Sequence, residues 1–436
     1  MGDKIKTESL TEVAFDNGEL LPYEWPGSYF LDQEEENAVL DVLRRRSPYR
    51  YYGHDLGRYA ERLEAAYCER LGRNYAVAVN SGTAALSIAL SAINVGPGDE
   101  VLVPGYMWVS CISSIVRTGA IPKLVDIDET FCMNPEDLLR KLSQHSRAVL
   151  LVHMSGAPGA VDTIADICRE KKLYLIEDCA QANGASFRGK PVGSFGDLAI
   201  FSFQLNKNIT AGEGGLLVCD DETLYRRAWA CHDMGYARDR DGRLDASDPT
   251  CQLWGQGSRC AEIIAAVVLA QLAKLDKITG LMRQRKYLLR EKLAGLPNLT
   301  FRKILDPAGD SGAFLILVWK NRDMCIEIVN QTRRNGIRTG PSGINNIPMT
   351  EWGLHLYQNN LSLVHKRSNN AAGRPWTDPL NAFANEYSYN YGSLPVMDDL
   401  IGRSSLLAIP PTLTLDALDR IAQSFQNAVC AYHNLR

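Results

Sequence analysis

The stretch YAVAVNSGTAALSIALSAINVGPGDEVLVP, residues 75–104, contains two short apolar runs separated by a segment of good helix formers and a Gly-Pro-Gly-Asp turn. Residues 75–81 and 100–104 predict strands, and residues 82–93 predict the helix between them. Neither strand alternates apolar with polar residues, which is typical of strands covered on both faces of a parallel sheet.

The same alternation of strand and helix continues along the chain. Further strands are predicted at 122–128, 147–154, 173–178, 198–203 and 215–220. Helices are predicted at 31–46 and 55–71, and near 107–118, 135–144, 159–171 and 220–232. Strands that alternate with helices in this way predict an α/β three-layer sandwich with a mostly parallel sheet.

The segments outside this repeat predict the domain organisation. Residues 1–28 are expected to form an irregular N-terminal arm, and residues 29–275 a large domain. A long helical pattern at 260–293 leads out of that domain, so residues 276–436 are assigned to a linking helix and a smaller α+β C-terminal domain. The polar segment 236–254 is long for a connector, and such loops tend to be functional or mobile.

Composition limits the class of protein. Of the 436 residues 45% are hydrophobic and the formal net charge is −4, which argues against nucleic acid or an anionic membrane as the main partner. The eleven cysteines are scattered, without a CxxC pair or zinc-type spacing, so we expect free thiols and no metal. The chain shows no secretory signal and no apolar run of ~18 residues, so the sequence predicts a soluble cytoplasmic protein.

One lysine stands out among the residues that follow strands, where ligands bind in open parallel sheets. In FSFQLNKNITAGEGG, residues 201–215, Lys207 is the only charged residue before Glu213, and it comes after a strand predicted to be buried. Partial burial lowers the pKa of a lysine and makes its amine a competent nucleophile towards an aldehyde.

Other strand ends carry complementary chemistry. Glu177 and Asp178 point to opposite faces by alternation, so one of them is placed to hold a cation or a protonated heterocycle, or else to cap a helix or form a buried ion pair. The NSGTAAL segment, residues 80–86, opens a helix whose free N–H groups favour a phosphate, and an ordinary N-cap explains it equally well. Trp108 would stack on a planar cofactor or pack in the core.

Taken together these features fit an aromatic aldehyde phosphate, and pyridoxal 5′-phosphate (PLP) meets each of them. The sequence has no G-x-G-x-x-G fingerprint, no P-loop and no G-x-S-x-G elbow, which argues against dehydrogenase, NTPase and α/β-hydrolase functions.

The sequence also resembles a known family. The segments NSGTAALSIAL, GPGDEVLVPGYMWVS, GAIPKLVDID, IEDCAQANGA and FSFQLNKNITAGEGGLLV are similar in order and spacing to the DegT/DnrJ/EryC1/StrS sugar aminotransferases, which are PLP enzymes of aspartate-aminotransferase-like fold (fold type I). The resemblance runs from about residue 25 to the C-terminus, loosely in the C-terminal domain. Its most specific element is S-F-x-x-x-K-x-x-x-x-G-E-G-G.

The resemblance implies a role for each candidate residue. Lys207 would hold the cofactor as a Schiff base, and lysine there is expected of aminotransferases because related dehydratases carry histidine. Asp178 would pair with the pyridine nitrogen, and Gln181 would meet the ring hydroxyl. Trp108 would stack on the ring. The phosphate would be held by Gly82, Thr83 and Ser202.

Two positions depart from the family pattern. Arg259 stands where the sugar-nucleotide branch more often has Asn, a residue that reaches the neighbouring subunit's phosphate. The same role is carried to Arg259, with a substrate-binding or structural arginine as the alternative. Asn183 stands where the family commonly has His, a position that concerns substrate contacts and not the acid–base chemistry.

The segments GSRCAEIIAAVVLAQL, VHMSGAPGAVDTIADI and YEWP are most similar to the branch that acts on carbocycles, which includes glutamine:scyllo-inosose-type aminotransferases and 3-amino-5-hydroxybenzoate synthase. The expected activity is amino transfer from glutamine or glutamate to a ketone on a polyhydroxylated ring, a keto-cyclitol or keto-sugar, in natural-product (aminoglycoside-type antibiotic) biosynthesis. The alternatives are dehydration or aromatisation of an amino-carbocycle and a non-catalytic PLP-binding regulator. The resemblance also implies a homodimer with shared active sites.

Overall fold

The structure, a computed structural model, describes residue 21 and residues 23–338 and 346–434. Most of the predicted N-terminal arm, residues 1–20 and 22, lies outside the described residues. Within them the first nine strands are β1 (Tyr75–Val79), β2 (Glu100–Pro104), β3 (Ile121–Val125), β4 (Ser146–Val152), β5 (Tyr174–Asp178), β6 (Ser186–Phe187), β7 (Lys190–Pro191), β8 (Leu198–Ser202) and β9 (Gly215–Cys219).

All of these strands except the β6–β7 hairpin belong to one sheet, in the order β1-β9-β8-β5-β4-β2-β3. Strand β9 runs antiparallel to both of its neighbours, and the other neighbours pair in parallel. The predicted mostly parallel sheet is confirmed. Because β4, β5 and β8 are parallel, their carboxyl ends meet at one edge of the sheet, where the candidate residues lie.

Helices cover both faces of this sheet. In chain order they are α1 (Gln33–Arg45), α2 (Tyr59–Leu71), α3 (Gly82–Ala92), α4 (Val109–Thr118), α5 (Pro135–Lys141), α6 (Val161–Lys171), α7 (Glu222–His232), α8 (Glu262–Leu272) and α9 (Leu275–Leu293). Successive residues of β2 enter opposite cores: Val101 and Val103 pack with α3 and α4, and Leu102 packs with α5 and α6. This arrangement is the predicted three-layer sandwich.

The C-terminal region forms a second, antiparallel sheet. After a short hairpin, β10 (Ala237–Arg238) and β11 (Leu244–Asp245), it contains β12 (Leu299–Phe301), β13 (Phe314–Trp319), α10 (Arg322–Arg334), β14 (Asn346–Pro348), α11 (Leu361–Val364), α12 (Pro395–Gly402), β15 (Ser404–Ala408) and α13 (Leu415–Asn434). The four strands are ordered β12-β13-β15-β14, and α9, α10 and α13 pack on them. The domain boundary at residue 275 stays a prediction.

The helical pattern predicted at 260–293 is present, with one interruption. The segment contains two helices, α8 and α9, joined at Ala273 and Lys274. The Lys274 ammonium group donates to the Phe30 carbonyl at 2.9 Å and to both carboxylate oxygens of Glu35 at 2.7 and 2.8 Å. These contacts fix the junction against the start of α1, and a periodicity pattern does not record them.

Residues 349–401 return from the small sheet to the large one. Met349, Leu356, Tyr357 and Met397 are buried in the same core as Val103 of β2. The segment therefore brings residues distant in sequence to the carboxyl edge of the central sheet.

The cysteines behave as predicted. All eleven lie in the described part of the chain and are free thiols. Cys168, Cys179 and Cys219, expected to serve as small apolar side chains, are buried. In the same part of the chain, no helix is both long and apolar enough to cross a membrane.

We expect Gly312→Ala to lower the free energy of unfolding by roughly 1–3 kcal/mol. Gly312 has a φ of +84°, and an added Cβ would lie 2.2 Å from the main-chain nitrogen of Arg283 on α9. The control is Gly280→Ala, within α9 itself. There no described atom outside the helix backbone lies within 4 Å of the new Cβ. It should raise stability by about 0.5–1 kcal/mol. Urea denaturation measures both values, and equal effects would contradict this account of the packing.

Candidate active site

A cavity of about 450 Å³ opens at the carboxyl ends of β5 and β8, beside the first turn of α3. Seven of the eight predicted site residues line it: Gly82, Thr83, Trp108, Asp178, Gln181, Ser202 and Lys207. The structure therefore brings together residues that the sequence distributes over four segments. The eighth, Arg259, does not line this cavity.

Lys207 lies in the turn that follows β8, with its side chain partly buried. Its main-chain N–H donates to the Gln204 carbonyl at 3.0 Å, and its own carbonyl accepts from the Gly27 N–H at 3.3 Å. Burial lowers the pKa of the Lys207 amine, although the negative charge of Asp178 opposes this shift. A larger fraction of the amine is neutral at a given pH than in an exposed lysine.

Asp178 ends β5 and is buried in the wall of the cavity. Burial raises the pKa of its carboxyl, and the hydrogen bond from the Ala180 N–H opposes this shift. That N–H donates to Oδ1 at 3.0 Å, and the Cys111 thiol donates to Oδ2 at 3.3 Å. These donors favour the charged carboxylate that the proposed pairing with a protonated ring nitrogen requires.

Glu177 points to the opposite face of β5, as alternation predicts. Its carboxylate accepts the main-chain N–H groups of Gly193, Phe195 and Gly196 at 2.7–2.8 Å. The ring nitrogen Nε2 of His153 lies 3.0 Å from Oε2. Glu177 thus fixes the loop before β8, which leaves Asp178 as the carboxylate that faces the cavity.

The first turn of α3 offers main-chain donors to an anion. Ser81 is the N-cap, and its hydroxyl oxygen accepts from the Ala84 N–H at 3.1 Å. The N–H groups of Gly82 and Thr83 have no acceptor within the helix because they belong to its first turn. A Cβ at Gly82 would lie 2.8 Å from the Ser202 Cβ, so only glycine allows the Ser202 hydroxyl this close to the helix end. A phosphate group fits this environment.

An aromatic wall closes the other side of the cavity. Trp108, the N-cap residue of α4, remains 42% exposed, and its ring centroid lies 4.7 Å from that of His355. His355 stacks on Trp352 at 4.4 Å, and its Nε2 lies 3.2 Å from the Gln181 amide nitrogen.

Sequence reasoning missed Trp352 and His355, although both line the cavity. They belong to the C-terminal region, where the resemblance is loose. Their only sequence signal is that they are two of the three ring side chains in the irregular segment MTEWGLHLY, residues 349–357, and such residues are equally typical of a core.

Arg259 and Asn183 point away from the cavity. The Arg259 guanidinium pairs with Asp233 at 2.6 Å and lies over the Tyr49 ring. Its contact with a neighbouring subunit's phosphate stays a prediction. The buried Asn183 amide donates to the Tyr67 hydroxyl at 2.8 Å, so this departure from the family pattern belongs to the core and not to the lining of the cavity.

The cavity is faced by a lysine and a carboxylate, and it lies next to a helix N-terminus at the edge of a mostly parallel sheet. This arrangement defines a site of the class found in PLP enzymes of aspartate-aminotransferase fold. Residues 31–371 match the DegT/DnrJ/EryC1/StrS aminotransferase family, and the chain belongs to that family. The family is PLP-dependent. The first turn of α3 with Gly82 and Thr83, here called the anion-binding turn, fits that cofactor together with Asp178 and Lys207.

Individual relatives cover part of the chain. It is 37% identical over 242 residues to GDP-perosamine synthase of Vibrio cholerae, covering 55% of this chain and 64% of that protein. It is 39% identical over 231 residues to L-glutamine:scyllo-inosose aminotransferase of Streptomyces griseus, covering 52% of this chain and 54% of that protein. The matches thus span less than two thirds of either relative.

The solved structure of 3-amino-5-hydroxybenzoic acid synthase is similar over nearly the whole length. It superposes with a TM-score of 0.75 at 25% identity and covers 95% of this chain and 100% of that chain. The predicted fold is confirmed by this likeness.

We expect the rate at which cofactor-free protein captures PLP to rise with pH, with a midpoint below 10.5, the ordinary pKa of a lysine. Only the neutral amine attacks an aldehyde, and burial lowers the pKa of Lys207, so the capture rate should level off at a lower pH than for an exposed lysine. Stopped-flow absorbance between pH 7 and 11 measures the rate, with N-acetyl-lysine as the matched amine. Coinciding midpoints would contradict the expected shift.

Proposed function

We propose that this chain is a PLP-dependent aminotransferase that moves an amino group from glutamine or glutamate to a ketone on a polyhydroxylated ring, a keto-cyclitol or a keto-sugar. The observation that carries the proposal is that Lys207 and Asp178 face the same cavity next to the anion-binding turn of α3. Membership of an aminotransferase family supports the reaction class.

Lys207 performs the proton transfers in this proposal. When bound, PLP supplies an aldehyde that takes up an amino group and a ring that accepts electrons. The Lys207 amine, once free, takes a proton from the substrate carbon and later returns one as general base and acid. Its lowered pKa suits both tasks, because a catalytic base works best when its pKa lies near the operating pH.

Asp178 supplies the fixed negative charge. Its two oxygens are oriented by the Ala180 N–H and the Cys111 thiol, so the carboxylate is held in place before a ligand arrives. Its role is to keep a proton on the ring nitrogen of the cofactor. A preorganised charge that is buried, as Asp178 is, acts more strongly than the same charge in solvent.

The charge of the cavity bears on the acceptor. Lys207 is the only lysine or arginine among the described residues that line the cavity, which also has Glu24 and Glu213 in its walls. A nucleotide-linked sugar carries a diphosphate, and proteins usually bind phosphates with arginine or lysine. The lining contributed by this chain favours an uncharged keto-cyclitol. The likeness to L-glutamine:scyllo-inosose aminotransferase supports that choice, whereas the likeness to GDP-perosamine synthase supports a nucleotide-linked keto-sugar.

A second candidate is dehydration or aromatisation of an amino-carbocycle. The likeness to 3-amino-5-hydroxybenzoic acid synthase supports it. The two functions differ in their products, because transamination exchanges an oxo for an amino group and dehydration removes water. Mass spectrometry of the product distinguishes them.

We further propose a homodimer with shared active sites and a place in natural-product biosynthesis of the aminoglycoside type. The dimer would bring Arg259 to the neighbouring subunit's phosphate. Light scattering coupled to size-exclusion chromatography tests the dimer, and a monomer that is fully active would contradict it.

Lys207→Ala should abolish turnover and the visible absorption of the lysine-bound cofactor. Loss of the acid–base group alone accounts for roughly 10²–10⁴-fold in rate. Lys303→Ala, at an exposed lysine outside the cavity, is the control and should leave both unchanged. Absorbance spectra and a coupled amino-transfer assay measure the effects. Wild-type turnover by Lys207→Ala would exclude the proposed chemistry.

The wild-type enzyme should convert to its amine-loaded form with glutamine or glutamate and return to the aldehyde form with a keto-cyclitol. Each half-reaction is followed by absorbance, so donor and acceptor are tested separately. If the enzyme returns to the aldehyde form with a nucleotide-linked keto-sugar but with no keto-cyclitol, the acceptor is a keto-sugar and the preference for a cyclitol is wrong. A protein that binds PLP but shows no half-reaction with any donor would favour the non-catalytic regulator.

A further inference from the structure

The segment that carries His355 is held to the central sheet by main-chain pairing. The Met107 N–H donates to the His355 carbonyl at 3.0 Å, and the Tyr357 N–H donates to the Gly105 carbonyl at 3.1 Å. Gly105 and Met107 lie within three residues of the end of β2, so these two hydrogen bonds fix the main chain of His355 and Tyr357 beside Trp108. The His355 imidazole is thus held in place at the cavity wall.

The partners of the two ring nitrogens define the tautomer of His355. Nδ1 lies 2.9 Å from the Trp352 carbonyl oxygen, which can only accept, so Nδ1 carries the proton. Nε2 is then an acceptor in the neutral ring. Its partner at 3.2 Å is the amide nitrogen of Gln181, which can only donate.

The orientation of the Gln181 amide follows from a second contact. Its carbonyl oxygen Oε1 accepts the Ser155 N–H at 3.0 Å. One amide hydrogen is directed to His355, so one remains for a ligand in the cavity that Gln181 lines. Burial lowers the pKa of His355 to about 4, and the positive charge of Lys207 contributes to the shift. The imidazole therefore stays neutral, and able to accept, at neutral pH.

We propose that His355 is a positioning residue: by accepting one amide hydrogen of Gln181, it directs the other towards the ligand oxygen that Gln181 binds. The inference rests on the proposed function, in which Gln181 meets the hydroxyl of the cofactor ring. Without the acceptor at Nε2, the half-buried amide keeps only its contact with Ser155 and loses the partner that orients its NH₂ group.

Two substitutions of similar polarity separate this role from packing. His355→Gln can place its carbonyl oxygen near the position of Nε2, whereas His355→Asn is too short and reaches only the position of Nδ1. We expect His355→Asn to weaken PLP binding roughly five- to thirty-fold, the effect of one unsatisfied hydrogen bond. His355→Gln should retain most of the affinity. Fluorescence titration of cofactor-free protein with PLP measures both dissociation constants.

A double-mutant cycle tests whether the effect passes through Gln181. In a Gln181→Ala background, His355→Asn should cause no further loss, because the amide it orients is gone. His355→Phe keeps the stacking on Trp352 without either nitrogen and should match His355→Asn. This provides a second variant in case His355→Asn does not fold.

Three results would overturn the inference while wild-type protein still binds PLP. These are equal affinities for His355→Asn and His355→Gln, full affinity in His355→Phe, and additive losses with Gln181→Ala. Wild-type protein that binds no PLP would overturn the proposed function and this inference together, so the two failures are distinguishable.

Discussion

The site depends on an amine and a carboxylate that share one largely desolvated cavity. Burial lowers the pKa of Lys207 and raises that of Asp178. At neutral pH both groups are charged in the unfolded chain, so each shift favours the neutral form and subtracts from stability. The mutual attraction of the two groups and the donors to Asp178 offset part of this cost. The apolar cores on both faces of the sheet must supply the remainder.

The sheet explains why distant residues converge on this pair. Parallel strands end at one edge, so Asp178, Ser202 and the helix turn after β1 become neighbours without any local signal connecting them. Close approach then depends on glycine. A Cβ at Gly215 would lie 2.4 Å from the main chain of Ser81, so the last glycine of the GEGG segment lets β9 start directly against the anion-binding turn. The same motif thus follows the reactive lysine and supports the phosphate end of the cavity.

The limits of sequence prediction follow from the same geometry. Alternation placed Glu177 and Asp178 on opposite faces, but only the loop amides that bind Glu177 decide which carboxylate faces the cavity. The break after α8 depends on Lys274 and its partners in and before α1. His355 reaches the site through pairing with the segment after β2. The ends of the strands and the role of Lys207 could be predicted because their sequence signals are local. The three features above could not, because they depend on tertiary contacts.

Arg259 lies near the anion-binding turn but does not line the cavity of its own chain. Arg259 forms a main-chain bridge with Val79, the last residue of β1, and so lies close in the fold, although not in the sequence, to the turn that follows β1. Its side chain turns instead to Asp233, which also binds Arg238. The anion-binding turn therefore consists of neutral amides and a hydroxyl, and a phosphate dianion there would have Lys207 as the one cation lining the described cavity. Arg259 keeps 28% of its side chain exposed beside the buried Asp233 carboxylate, and its reach to the phosphate site of a second copy of the chain stays a prediction.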